Sequence, residues 1–473
     1  MSTLSKAISL HQSGNIVAAL KIYNQILLNE PDNPHALCLK GNALQGLKRH
    51  QEAINYFIRA HRLIPNEPNI TFQLGFSYKK ISNLEKSNLF YKKTIDLNPF
   101  NVEAFTNLAN NLTKQKLFKK ANLYYQKALQ LEPNSSIIHY NIGTMFLEAM
   151  DPDNALSWLQ KTVLLNPTNP NAFNSLGVAL TGLGEFHLAI DAFKKSNELD
   201  PQFIEPMFNS HMVYLDLEMV DEAIDAIEKT ISIDQKNPIL KFFHYIILVY
   251  EGKLDIANKL FLKINGLKKI EGELSSWEFI KNSCLNLPKL TGTNFKSISE
   301  SINVAEVDGL TLEFGVFNGK SIRQIAKLID TTVYGFDSFE GIPEPWNNEP
   351  SGSYSAEGIL PAVPNNVKLI QGWFDESLPM FLKEIDKNIP IRFLHIDCDL
   401  YSSTKIIFDL IGDRICPGTV ILFDELIGYE SWQNDEFKAF MEAVKKYSWG
   451  YEILLFSFAT KQVAIKIVSI GKN

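Results

Sequence analysis

Proline recurs at Pro31, Pro65, Pro99, Pro133, Pro167 and Pro201, each 34 residues after the last. A fixed period of that length calls for one supersecondary unit stacked on copies of itself rather than an irregular globular core. Other positions keep the same beat. Gly41, Gly75, Gly143 and Gly177 recur, with Ala109 standing in once. Small residues return at Ala19, Ala53, Ser87, Ala121, Ala155, Ala189, Ala223 and Ala257. Four residues further on stands a large apolar one: Tyr23, Phe57, Tyr91, Tyr125, Leu159, Phe193, Ile227 and Phe261. Small against large lets helices of neighbouring units interlock, and glycine marks where the two helices of a unit approach closely. Proline closes each second helix, since it cannot continue one.

This helix–turn–helix beat resembles the tetratricopeptide repeat, and about eight units cover residues 1–266. The eighth is decayed, with Gln235 in the proline slot before it and Tyr245 in the glycine slot, as terminal units often are. Such arrays present a concave surface to a protein or peptide partner. Gln73, Asn107, Asn141, Ser175 and Asn209 share one repeat position on the first helix of their units. This polar ladder either holds a partner's main chain or only bonds neighbouring turns and water.

A chain of 473 residues exceeds one ordinary core, so two or three domains are expected. The net charge of −7 and a pI near 5.8 argue against a nucleic-acid partner. Cys38, Cys284, Cys398 and Cys416 form no CxxC pair or metal-ligand spacing, which suits reduced thiols in a cytoplasmic protein. The opening "MSTLSKAISLHQSGN" lacks the apolar core of a signal peptide, and "LKFFHYIILVYEG" is too short and interrupted to span a bilayer.

The 34-residue beat is gone over residues 267–300, which read as a connector. From 301 to 473 short β-rich runs alternate with helical stretches, the mark of a parallel α/β sheet. Strands are expected near "LTLEFGV", "TTVYGFD", "VKLIQG", "IRFLHID", "GTVILFD", "YEILLFSF" and "QVAIKIV", the last two paired as a hairpin. Helices are expected at 319–329, 375–386, 401–414 and 433–447. Seven strands ending in a hairpin is the Rossmann-like arrangement of class I S-adenosylmethionine-dependent methyltransferases. The fold class is thus an all-α tetratricopeptide solenoid followed by that α/β domain.

The strand ends carry matching signals. In "LEFGVFNGKS" a strand runs through Gly315 and Gly319 into a helix, which lets main chain approach a ligand. Asp337 closes the next strand about twenty residues later, placed to hydrogen-bond both hydroxyls of a ribose. Gly372 and Trp373 follow the third and are placed to flank an adenine. In "FLHIDCDLYSST", Asp397 and Asp399 are two apart, a costly pair of like charges unless a cation offsets them.

Together, "LEFGVFNGKSI", "YGFDSFEGIPE", "LHIDCDLYSST" and "PGTVILFDE" resemble the macrocin O-methyltransferase family over roughly residues 300–473. The resemblance implies S-adenosylmethionine at Glu313, Gly315, Ser321, Asp337, Ser338, Gly372, Trp373 and Asp397. It implies Mg²⁺ on Asp397, Asp424 and Glu425, Asp399 as general base, a sugar or other polyhydroxylated acceptor, and a homodimer. Some members carry Asp-Asp where this chain has Asp424-Glu425. His395 is expected to be a hydrogen-bonded strand histidine rather than a second base, and Asp399 has helix capping as its alternative. The Gly/Pro/Ser-rich segment 341–366 reads as a lid or a disordered insertion. Tyr429 and Trp432 are candidates to stack on a sugar, or, for Trp432, only to pack the next helix.

The function that follows is Mg²⁺-dependent O-methyl transfer, with the array recruiting a carrier or partner. Methylation of a protein captured by the array, and a scaffold whose methyltransferase fold is inactive, are the alternatives. A glycosyltransferase is set aside, because the second half has no second Rossmann unit.

Overall fold

The structure, a computed structural model, describes residues 3–471. Among these, sixteen helices follow one another from Thr3–Gln12 to Leu254–Ile264, two for each of the eight repeats. Five of the six periodic prolines fall just past a residue that caps a second helix. Pro31 follows Glu30 after Ile16–Asn29, and Pro65 follows Ile64 after His50–Leu63. The large residues meet the glycines of their own unit. A side chain on Gly41 would strike the Phe57 ring, on Gly75 the Tyr91 ring and on Gly177 the Phe193 ring. Small-against-large interlock thus operates within these three repeats.

The chain packs as two compact units. The first runs through Ala149 and includes Leu164–Asn166; the second comprises Met150–Val163 and everything from Pro167 onward. In the second unit one apolar core extends from Leu180 through Val213, Phe242, Tyr245 and Trp277 to Phe336, Ile396, Phe456 and Ile467. The later repeats and the sheet therefore share buried surface. Trp277 is fully buried, its Nε1 donating to Tyr245 Oη at 3.3 Å and its ring packed on Phe456 and Phe458. It lies on the helix Glu271–Ser283, so the segment 267–300 is folded structure rather than a plain connector.

The sheet has eight strands: β1 (Lys289–Leu290), β2 (Leu310–Phe314), β3 (Val333–Asp337), β4 (Val367–Gln371), β5 (Ile391–Ile396), β6 (Val420–Phe423), β7 (Trp449–Phe456) and β8 (Val463–Ile470). Their order is β1-β7-β8-β6-β5-β2-β3-β4, and every pairing is parallel except those of β8, which runs antiparallel to β6 and β7. All seven expected strands are present. β1 is additional: two residues pair with β7 and have no room for alternation. The expected helices appear as Lys320–Leu328, Phe374–Glu384, Tyr401–Ile411 and Glu436–Tyr447. Side chains alternate across the sheet. Ile421 and Phe423 join the large core, whereas Phe393, Val420 and Leu422 join a second core with Ile298, Ile302 and Ile322.

Candidate active site

The carboxyl ends of β2 to β6 open onto a cavity of about 530 Å³. This is where ligands lie in open α/β sheets. Gly315, Ser321, Asp337, Ser338, Trp373, Asp397, Asp399, Asp424 and Glu425 all line it. Glu313 and Gly372 do not. Gly372 donates its N–H to Asp337 O at 3.0 Å, and Glu313 lies fully buried beneath the floor. Met150, Phe317, Trp346 and Tyr354 complete the wall. Met150 comes from a turn between repeat helices; Trp346 and Tyr354 come from segment 341–366.

Gly315 has φ +94°, and a Cβ there would collide with the Asp397 carbonyl oxygen. This glycine therefore permits β2 and β5 to close on one another, in addition to any approach to a ligand. The N–H groups of Val316 and Phe317 donate to Asp337 Oδ2 at 2.8 and 2.7 Å, and that of Phe339 donates to Oδ1 at 2.6 Å. Burial raises this carboxyl even so, the three donors only opposing the shift. A carboxylate has about four acceptor positions. With three of them taken by main chain, about one acceptor position of Asp337 remains open.

Strand register assembles the acidic centre. Glu313 on β2 stands opposite His395 on β5, and His395 stands opposite Leu422 on β6, so Asp397 and Asp424 emerge side by side just beyond the strands. Ser321 Oγ donates to Glu313 Oε1, which lies 3.1 Å from His395 Nδ1. His395 is thus the hydrogen-bonded strand histidine expected, but it also turns Nε2 toward Asp424. Burial lowers its pKa, and the carboxylates of Asp424, Glu313 and Asp397 outweigh burial, leaving it well above the ordinary range. Asp397 is pushed up by burial and by Asp424. His395, Asp397 and Asp424 form a group able to hold a metal ion. Glu425 differs from them, being paired with Lys461 Nζ at 3.0 Å.

Asp399 does not follow the strand alternation. β5 ends at Ile396, Asp399 takes the left-handed conformation at φ +63°, and Cys398 lines the cavity as well. Asp399 does not cap the following helix, whose N-cap is Leu400. Its N–H instead donates to Glu436 Oε1 at 3.1 Å, and that of Cys398 to the same oxygen at 3.4 Å. Glu436 was not legible as a site residue: it is fully buried and lies 37 positions further on. Burial, then Glu425 and Asp424, push Asp399 up to about 7.

Trp432 is buried, donating to Ser275 Oγ at 2.9 Å and packing on Phe279 and Phe437, so it packs structure and does not face an acceptor. Tyr429 lies behind the cavity against Trp346. In the ladder, Asn107 Oδ1 accepts from Lys79 Nζ at 2.8 Å and Asn209 Nδ2 donates to Asn174 Oδ1 at 3.1 Å. Both bond neighbouring units. The four cysteines are free, and among the described residues no helix is long and apolar enough to cross a membrane.

This chain joins a tetratricopeptide region to a class I S-adenosylmethionine-dependent methyltransferase domain. Residues 312–426 match the family model "Methyltransferase domain", residues 9–169 "Psidin, N-terminal TPR repeats region" and residues 170–203 "Tetratricopeptide repeat". Among curated proteins, it is similar to BBSome complex member BBS4 of Mus musculus, 28% identical over 55% of this chain and 50% of the relative. It is also similar to small glutamine-rich tetratricopeptide repeat-containing protein 2 of Mycosarcoma maydis, 27% identical over 21% of this chain and 28% of the relative. The chain spans half or less of the length of these relatives. A solved structure with similar repeats is YrrB, described as a TPR protein with an unusual peptide-binding site. It is 22% identical, with TM-score 0.35, covering 42% of this chain and 97% of that one.

Proposed function

We propose that the protein is an S-adenosylmethionine-dependent O-methyltransferase of the macrocin type, assisted by a divalent cation, whose acceptor is a sugar or related polyhydroxylated molecule. The observation that carries this reading is the meeting, in one cavity, of the glycine turn, Asp337 and the acidic residues beyond β5 and β6. Nucleotide-type and cation-type donors thus face the same space. Asp397 and Asp424, with Glu425 as the resemblance implies, are suited to a hard cation such as Mg²⁺. The crowding of their charges, with Lys461 the cation beside Glu425, fits a site that receives positive charge.

The bound groups supply an electrophilic methyl and polarisation of the acceptor hydroxyl, which is otherwise far too weak an acid to react. The chain supplies the rest. Asp337 accepts from a ribose hydroxyl, and Trp373 presents an apolar ring beside it. Asp399, aimed by Glu436 through its main-chain N–H, takes the proton from the acceptor oxygen. Trp346, Tyr354 and Met150 shield the reacting face from water. The repeat array recruits a carrier or a peptide. The ladder residues already bonded within the array favour the first of these.

The test is calorimetric titration of S-adenosylhomocysteine into the full chain, with and without Mg²⁺, beside Asp337→Ala, followed by a screen of sugars with labelled methyl donor. Micromolar binding abolished by the substitution, with label in a hydroxylated acceptor, upholds the reading. A folded chain that binds no S-adenosylhomocysteine defeats it, and label found only in peptides moves the acceptor to a protein.

A further inference from the structure

His395 has more order around it than a structural histidine needs. Its side chain is fully buried and its Nε2 has no hydrogen-bond partner. A carboxylate only accepts, so when a bound cation takes the place of the proton on Nε2 the ring keeps its other proton on Nδ1 against Glu313 and offers the Nε2 lone pair as a ligand. That lone pair faces Asp424 Oδ1 at 3.9 Å, beyond a hydrogen bond. Two ligands at about 2.1 Å from one ion lie about 3.0 Å apart when adjacent and about 4.2 Å when opposite. The observed separation falls in that interval. An oxygen of Asp397 completes the group, all three ligand atoms lying within 4.8 Å of one another.

The surroundings single out the same three residues. Ser321 fixes Glu313, which fixes the imidazole. Gln462 Nε2 donates to Asp424 Oδ1, and Asn294 Nδ2 donates to it at 3.2 Å. Metal-bound histidines commonly give their second N–H to a carboxylate in this way. Glu425 has no such need, since Lys461 already compensates its charge.

We propose that His395 Nε2, Asp397 and Asp424 hold the cation, with Glu425 outside the ligand set, and that the nitrogen ligand selects a first-row transition ion such as Mn²⁺ over Mg²⁺. The proposal rests on the metal-assisted reading above and changes its ion. Imidazole suits borderline ions, whereas Mg²⁺ favours oxygen donors and keeps its waters.

The test uses the metal-stripped full chain loaded with Mn²⁺ and examined by pulsed electron paramagnetic resonance. A directly bonded ¹⁴N coupling is expected, replaced by a ¹⁵N coupling when the protein is made with ¹⁵N-histidine, which needs no variant to fold. His395→Gln is expected to lose the coupling and bind Mn²⁺ about tenfold or more weakly. Glu425→Gln is expected to keep the coupling. Bound Mn²⁺ without nitrogen coupling overturns the His395 assignment and leaves the metal-assisted reading standing. A folded chain that binds S-adenosylhomocysteine but no Mn²⁺ overturns both. Mg²⁺ displacing Mn²⁺ at equal concentration overturns the ion preference.

Discussion

The Asp216 carboxylate accepts the main-chain N–H of Gly292 at 2.7 Å, joining a repeat helix to the segment that leads into the sheet. Its other oxygen accepts from the N–H of Thr293 at 3.0 Å, the residue that caps helix Asn294–Asn303. Gly292 has no room for a side chain, because a Cβ there would meet the Met212 carbonyl. One buried acid thus holds two main-chain donors that would otherwise go unpaired.

Burial pushes Asp216 up to about 7 from 3.8, against the pull of its donors and of Lys296. The folded state therefore binds this proton more tightly than the unfolded chain. Its contribution to stability is fully present below about pH 3.8, falls as pH rises and is gone above about pH 7. Asp216→Asn removes the titration and leaves one N–H facing an amide, at a cost of about 1–3 kcal/mol. The gap in thermal midpoint between wild type and variant is expected to narrow as pH rises from 4 to 7 and to stay constant above; a gap that widens contradicts this assignment.

Trp277→Ala is expected to cost about 3–5 kcal/mol, the range for a buried aromatic truncated in a tight core. A fragment beginning at residue 290 lacks this indole and bares Phe456 and Phe458. It is expected to be insoluble where the full chain is soluble, measured by expression and near-ultraviolet circular dichroism.

Two cations on one helix should differ in importance. Arg323, 13% exposed, donates to Asn318 O at 2.9 Å in the glycine turn and to Met150 O at 3.4 Å. Lys327, 55% exposed, pairs with Asp153 at 2.7 Å. Arg323→Ala is expected to weaken S-adenosylhomocysteine about tenfold by loosening the turn, an effect worth about 1.4 kcal/mol. Lys327→Ala is expected to change stability by no more than about 1 kcal/mol and affinity not at all. Titration calorimetry and thermal melting of both variants check the contrast.

Asp399→Asn is expected to lower turnover by about 10²–10⁴ while S-adenosylhomocysteine affinity changes less than about threefold, as for a base that acts on the acceptor. Equal losses in both would instead make Asp399 part of the cofactor site.

Long-range order in the sequence was legible where residues repeat or alternate. The proline beat marks the first six helix pairs and the small–large beat all eight, and alternating apolar runs mark β2 through β8. β1 was not legible, since Lys289 and Leu290 are strand only by pairing with β7. At the site, aspartates at strand ends announce themselves, because a charge directly after an apolar run has few other uses. Glu436, Met150 and Trp346 carry no such signal: each reaches the cavity or its backing by tertiary packing. The turn of Asp399 into a left-handed conformation was hidden for a related reason. It depends on a buried acceptor supplied by a distant helix, and period-two reasoning stops where the strand stops.

Repeat proteins usually change size by duplicating or dropping whole units, because each touches only its neighbours. The shared core from Leu180 to Ile467 withdraws that freedom from the later units here. A copy inserted after Ile264 would carry Trp277 away from Tyr245, whereas a unit gained or lost among the early repeats leaves that contact untouched. Descent should therefore have edited this array from its front, with the last units inherited as fixed parts of the core they share with the sheet.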